Sequence, residues 1–168
     1  MNMVRLLCVL VLTFVIFSCN NSSYTSVYTS STYKTDTNIS EERLDLLQFA
    51  VKFNGIKYKY ASVDPKQGFD CSGFTHFVYN NTMEKKLPRV SRDQAKTGKR
   101  VSMEDAQPGD LLFYAREGRV FHVSLITNVG FEKIEVIHST TSRGVIRENI
   151  LKSSYWYPKI SHIQNVID

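Results

Sequence analysis

At 168 residues, with 42% hydrophobic and 22% charged side chains, the chain has room for one compact domain with a real core, and two full domains would not fit comfortably. Its 21 Lys and Arg against 16 Asp and Glu give a net charge of +5, spread along the sequence. No basic run with interleaved aromatics is present, which argues against nucleic acid as a partner.

Residues 1–18 read as a secretory signal: Arg5 supplies the positive start, and Leu6 to Phe17 is an apolar run broken only by Thr13. The run has 12 residues, whereas a helix needs about 20 to span a bilayer. The segment ends in Ile16-Phe17-Ser18-Cys19, which resembles the lipobox of bacterial lipoproteins. That resemblance implies lipidation at Cys19, a membrane held through the lipid, and a place in the cell envelope, with Asn20 and Asn21 favouring the outer membrane and periplasm over the inner membrane. From Cys19 to residue 40 the chain is then a lipidated tether. Residues 20–40 contain 14 Ser, Thr or Asn, too polar to bury surface and offset ordering, with a flexible-coil reach of roughly 25 Å.

The domain proper spans residues 41–168. Glu41 and Glu42 suit a helix N-terminus, and Leu44, Leu47, Ala50 and Val51 recur at helical spacing before Asn54-Gly55. A loop covers Lys57 to Gly68. The segment around Cys71 predicts a helix to about Tyr79, and a short helix, capped by Ser91, is expected from Ser91 to Thr97. After the turn at Gln107-Pro108-Gly109-Asp110, four strands are expected: Leu111 to Tyr114, Val120 to Thr127, Lys133 to Ser139 and Trp156 to Val166, with Asn128-Val129-Gly130 as a turn. Helices first and strands second give an α+β class with an antiparallel sheet.

Cysteine usage narrows the chemistry. Cys8 leaves with the signal and Cys19 carries lipid, so Cys71 remains as a thiol with no disulfide partner. A cysteine nucleophile acts as thiolate, and the sequence offers two levers: a helix N-terminus capped by Asp70, and a histidine base. Of the four histidines, strand parity selects two. His122 shares a face with Ser124 and Ile126, and His138 with Ile134 and Val136; if the strands pair, the two rings meet, one as base and the other as its orienter. His76 and His162 read as ordinary structural residues. A zinc site is the other use of one cysteine and two histidines, but the spacings are wide and no second cysteine is at hand. No metal or cofactor is expected.

In order, Phe69-Asp70-Cys71-Ser72-Gly73-Phe74, Leu87-Pro88-Arg89 with Gln94, Pro108-Gly109-Asp110-Leu111-Leu112-Phe113, His122-Val123 and Ile137-His138-Ser139 resemble the motifs of the NlpC-type cell-wall peptidases, over about residues 41–168. The resemblance implies a papain-like fold in which Cys71 attacks an amide of a peptidoglycan stem peptide, His122 is the base and His138 orients it. It also implies that Tyr58 lines the site and helps hold the oxyanion, with neighbouring Tyr60 as rival, and that Asp70 and Ser72 flank the substrate groove. A monomer is expected. Two departures stand out: Ala61-Ser62, where the family often has glycines, and Ser124, where it often has one. Amidase or acyltransferase work with the same residues, and a catalytically silent cell-wall-binding lipoprotein, are the competing readings.

Overall fold

A computed structural model describes residues 39–167. The signal segment 1–18, the lipidation site Cys19 and all but the last two residues of the tether lie outside the described residues.

Helix α1 (Glu41–Val51) starts where Ser40 accepts the Arg43 amide on its hydroxyl at 3.4 Å, with Glu41 and Glu42 complementing the helix dipole in the first turn. Its buried stripe is Arg43, Leu46, Leu47 and Ala50, with Leu44 and Val51 only half-buried. The expected stripe is thus rotated, because a charged residue, Arg43, points inward.

The loop that follows holds a short hairpin, β1 (Val63–Asp64) with β2 (Gly68–Phe69). At its start Ala61 adopts φ +57°, a left-handed conformation that costs a residue with a Cβ roughly 1–2 kcal/mol. The departure from glycine noted in the sequence therefore falls on a backbone position that suits glycine.

Helix α2 (Cys71–Met83) runs one turn beyond Tyr79 and stops at Glu84, whose left-handed φ of +51° lets its N–H close on the Tyr79 carbonyl. Helix α3 is brief (Ser91–Gln94). Ser91 is its first helical residue and not its cap; Val90 holds that position without a side-chain bond. What anchors α3 is the buried Gln94 side chain, which bonds Thr75, the Ser72 carbonyl and the Pro88 carbonyl at 2.8–3.0 Å.

Six antiparallel strands follow: β3 (Lys99–Val101), β4 (Leu111–Arg116), β5 (Arg119–Gly130), β6 (Lys133–Thr140), β7 (Gly144–Asn149) and β8 (Ile160–Asn165), in the order β3-β8-β4-β5-β6-β7. The chain is α+β and papain-like, with N-terminal helices packed on a C-terminal sheet. Three local expectations are corrected. Asn128-Val129-Gly130 is strand, not turn: β5 continues through a bulge between Ile126 and Asn128, and the hairpin closes at Phe131-Glu132 with Gly130 opposite Lys133. The last strand begins at Ile160 because Tyr157–Lys159 forms a 3₁₀ turn in which Pro158 lacks a ladder donor. Strands β3 and β7 were not expected.

Strand alternation sorts the core into two layers. Leu111, Phe113, Val123, Leu125 and Ile137 pack against Leu46, Ala50, Phe74 and Val78 of the helices. Leu112, Tyr114, Ile126, Ile134 and Val136 face the other way and meet Ile150, Trp156 and Ile163.

Candidate active site

Cys71 opens α2. Asp70, extended at φ −86° and ψ 175°, caps the helix by accepting the Gly73 amide at 2.7 Å. Gly73 allows the close seat of this first turn: a Cβ there would lie 2.1 Å from the Ser62 carbonyl oxygen. The cap carboxylate is also gripped in a two-toothed pair by Arg89, at 2.9 and 2.6 Å, and accepts the Ser72 hydroxyl at 3.2 Å. Asp70 and Ser72 are therefore both engaged by Arg89, which itself donates to the Ser72 hydroxyl at 3.3 Å.

The thiol behaves differently from the sequence expectation. Burial pushes it up to about 11, against backbone N–H groups of Val123, Ser72 and Cys71 itself, and the Asp70 charge adds to the rise. At neutral pH the Cys71 side chain is therefore a protonated thiol.

His122 and His138 stand on neighbouring strands, and the hairpin brings His122 Nε2 within 3.0 Å of His138 Nδ1, the rings edge-on at 73°. Next to His122 the β4–β5 ladder skips Phe121: Tyr114 pairs with His122 and Ala115 with Val120, a bulge that twists the strand end beside the site. Trp156 covers both rings and stacks on His122 at 4.3 Å and 25°. Ser124, where the family often has glycine, is buried and bonded to the Tyr114 hydroxyl at 2.8 Å.

Burial holds His122 well below the ordinary imidazole range, and its neighbour His138 lowers it further. Burial also lowers His138, against the pull of its bond to Glu148. Both rings are neutral in the folded state where free imidazoles would protonate. Below about pH 6.5 the unfolded chain then binds more protons than the folded one, so stability falls with falling pH. We expect the melting midpoint to drop between pH ~7.5 and ~5, and the drop to shrink in His138→Asn. A pH-independent midpoint over that window would contradict the buried, neutral pair.

Two cavities flank the thiol and share Tyr58, Cys71 and Phe121. One, about 390 Å³, is walled by His122, Trp156 and the hydroxyl-rich stretch from Ser139 to Arg143. The other, about 350 Å³, is bounded by Asp70, Ser72, Arg89 and Tyr60. Tyr58 is half-buried between them and bridged to Phe69, whereas Tyr60 is 81% exposed and lines only the second. Burial, with Cys71 and the Asp70 carboxylate nearby, raises the Tyr58 hydroxyl above its ordinary range, keeping it a donor. Sequence reasoning missed two participants. Glu148 accepts from His138 Nε2 at 2.8 Å, and Trp156, expected only as the first residue of the last strand, stacks on His122. His76 and His162 lie apart, bonded to the Leu87 and Ala95 carbonyls. Among the described residues no group of three or more His, Cys, Asp or Glu is arranged to hold a metal ion.

The model of the NlpC/P60 family matches residues 55–165. The chain belongs to the NlpC/P60 family. It is 41% identical over 102 residues to the gamma-DL-glutamyl hydrolase of Bacillus subtilis strain 168, covering 61% of this chain and 24% of that protein. It is 33% identical over 107 residues to the probable endopeptidase NlpC of Escherichia coli strain K12, covering 62% of this chain and 65% of that one. Among solved structures, an NlpC/P60 family protein from Bacillus cereus ATCC 10987 matches with a TM-score of 0.68 and 31% identity, over 75% of this chain and 40% of its own. In each case the chain spans less than two-thirds of the relative's length.

Proposed function

We propose that the chain is a peptidoglycan hydrolase, a cysteine endopeptidase that cleaves an amide bond in stem peptides, with Cys71 as nucleophile, His122 as base and His138 as its orienter. The observation that carries this reading is the placing of Cys71 and His122 on one cavity, with Nε2 of His122 held by His138 at 3.0 Å. The names of two relatives, a gamma-DL-glutamyl hydrolase and a probable endopeptidase, point the same way.

In this mechanism the S–H proton passes to His122 as sulfur bonds to the scissile carbonyl carbon. The Cys71 N–H and the Tyr58 hydroxyl stabilise the oxyanion. His122 then returns its proton to the leaving amine, and water, deprotonated by His122, hydrolyses the thioester to restore the thiol. Cavities on both sides of Cys71 suit a substrate that continues past the cut in both directions. No metal or cofactor enters these steps. We further propose that Cys19 carries a lipid that holds the domain in the cell envelope, on the sequence of residues 1–19.

Digestion of defined muropeptides followed by mass measurement tests the function. Cleavage within the stem is expected, either between D-glutamate and the diamino acid or at the D,D cross-link, and the fragment masses separate the two. A freed N-acetylmuramoyl sugar end would instead identify an amidase. Intact muropeptides under all conditions would overturn the assignment.

A further inference from the structure

We propose that Glu148 is a positioning residue of this site: its carboxylate fixes the tautomers of His138 and then His122, so that His122 presents an unprotonated Nδ1 to take the Cys71 proton. The inference rests on the reading of Cys71 and His122 as nucleophile and base.

The sheet register brings Glu148 into place. On the β6–β7 ladder His138 lies opposite Ile146 and Val136 opposite Glu148, which sets Glu148 on the histidine face one diagonal step from His138. Its Oε1 lies 2.8 Å from His138 Nε2 and 2.9 Å from Nη2 of Arg143, in the turn between the two strands. Arginine keeps its proton, so Glu148 beside it remains a carboxylate and can only accept hydrogen bonds. The His138 bond, assisted by Arg143, also holds its carboxyl below the usual carboxylate range.

The proton positions then follow in sequence. Nε2 of His138 must carry a hydrogen to donate to Glu148. His138 is fully buried, and its ring is neutral, so its Nδ1 is an acceptor. His122 Nε2, 3.0 Å away, must therefore be the donor. A neutral His122 with its hydrogen on Nε2 has its lone pair on Nδ1, the nitrogen that His138 does not engage.

Two neutral histidines alone would not settle this. Either could donate to the other, and the reverse arrangement leaves a hydrogen on His122 Nδ1 and no base. Glu148 removes that choice. It also supplies negative charge when His122 becomes an imidazolium in a buried site: the S–H bond breaks, Nδ1–H forms, and the Nε2–H stays directed at His138. Among the described residues, the charged or titratable groups around the histidine pair are Glu148 of β7, Arg143 of the turn, Tyr114 of β4 and, across the cavity, Cys71 of α2, Tyr58 and Tyr155, with the Trp156 ring stacked on His122.

The first test is nitrogen-15 NMR of the histidine-labelled 168-residue chain at neutral pH. We expect hydrogens on Nε2 of both His122 and His138 and a bare Nδ1 on His122; a hydrogen on His122 Nδ1 would overturn the proposal. The second test is Glu148→Gln, whose amide can donate to His138 Nε2 and reverse the chain. It should shift the His122 tautomer and lower kcat on stem peptides about 100-fold with KM nearly unchanged. A fall in kcat with the tautomers unmoved, or no fall at all, would also overturn it. The NMR measurement on the unmodified chain needs neither substrate nor variant. A failure to cleave peptidoglycan, which would sink the proposed function, therefore leaves the tautomer assignment to be decided separately.

Discussion

Cys71→Ala is expected to abolish the release of soluble fragments from purified peptidoglycan, a fall in kcat on the order of 10⁶-fold. The size of the effect follows from chemistry: in the proposed mechanism the sulfur forms the bond to the scissile carbonyl, and no other cysteine lines the two cavities. The substitution should leave the fold intact. The cap that starts α2 is the Asp70 carboxylate on the Gly73 amide, and the Asp70–Arg89 pair and the Gln94 contacts with α2 do not involve the thiol. An unchanged melting midpoint alongside lost activity therefore isolates the chemical step. His122→Ala should give a comparable loss, because a thiol raised to about 11 stays protonated at neutral pH without a base. Substantial activity in Cys71→Ala would remove the cysteine mechanism altogether, whatever the fold.

The difference between what the sequence allows to be read and what it hides is clearest around these residues. Cys71 is legible because its signals are local: Asp70 as cap and Gly73 two positions on. The meeting of His122 and His138 is legible because strand alternation is a strict period of two, so parity gives the shared face even though the turn between the strands is misplaced. Asn128-Val129-Gly130 carries turn-type residues, yet the bulge at Ile126/Asn128 absorbs them into β5, and the chain reverses at Phe131-Glu132. Glu148 is not legible, because its role depends on which strand lies beside β6. Gly144–Asn149 has a single buried aliphatic, Val145, and no clear alternation, so nothing in its composition announces a strand. The raised thiol is hidden for a similar reason. A helix N-terminus predicts a lowered value, and only packing shows that burial prevails.

The second large effect concerns a motif that the sequence marks as a turn and the structure uses as a fastening. Arg43 of α1 reaches the Pro108-Gly109-Asp110 turn, donating to the Pro108 carbonyl at 2.8 Å and to Asp110 at 3.0 Å, with 4% and 1% of the two side chains exposed. Asp110 also accepts the Gln107 amide at 2.9 Å, and the Tyr79 hydroxyl of α2 donates to the Gly109 carbonyl. Gly109 itself sits at φ +98°, a conformation that suits glycine, and a Cβ there would press on the Arg43 guanidinium at 3.1 Å. Through this turn both helices are joined to the head of β4. Arg43→Ala should cost about 3–5 kcal/mol, because it removes the cation that lies 3.0 Å from the buried Asp110 carboxylate. In a domain of this size that lowers the melting midpoint by roughly 10–20 °C. Urea denaturation of the single variant and of Arg43→Met/Asp110→Leu separates the causes. Recovery of most of the loss in the double variant identifies the uncompensated charge, and a loss below about 1 kcal/mol in the single variant would show that the pair does not fasten the helices. Since α2 carries Cys71 and is held by the same turn through Tyr79, activity in Arg43→Ala should disappear at the temperature where the fold is lost and remain near normal well below it.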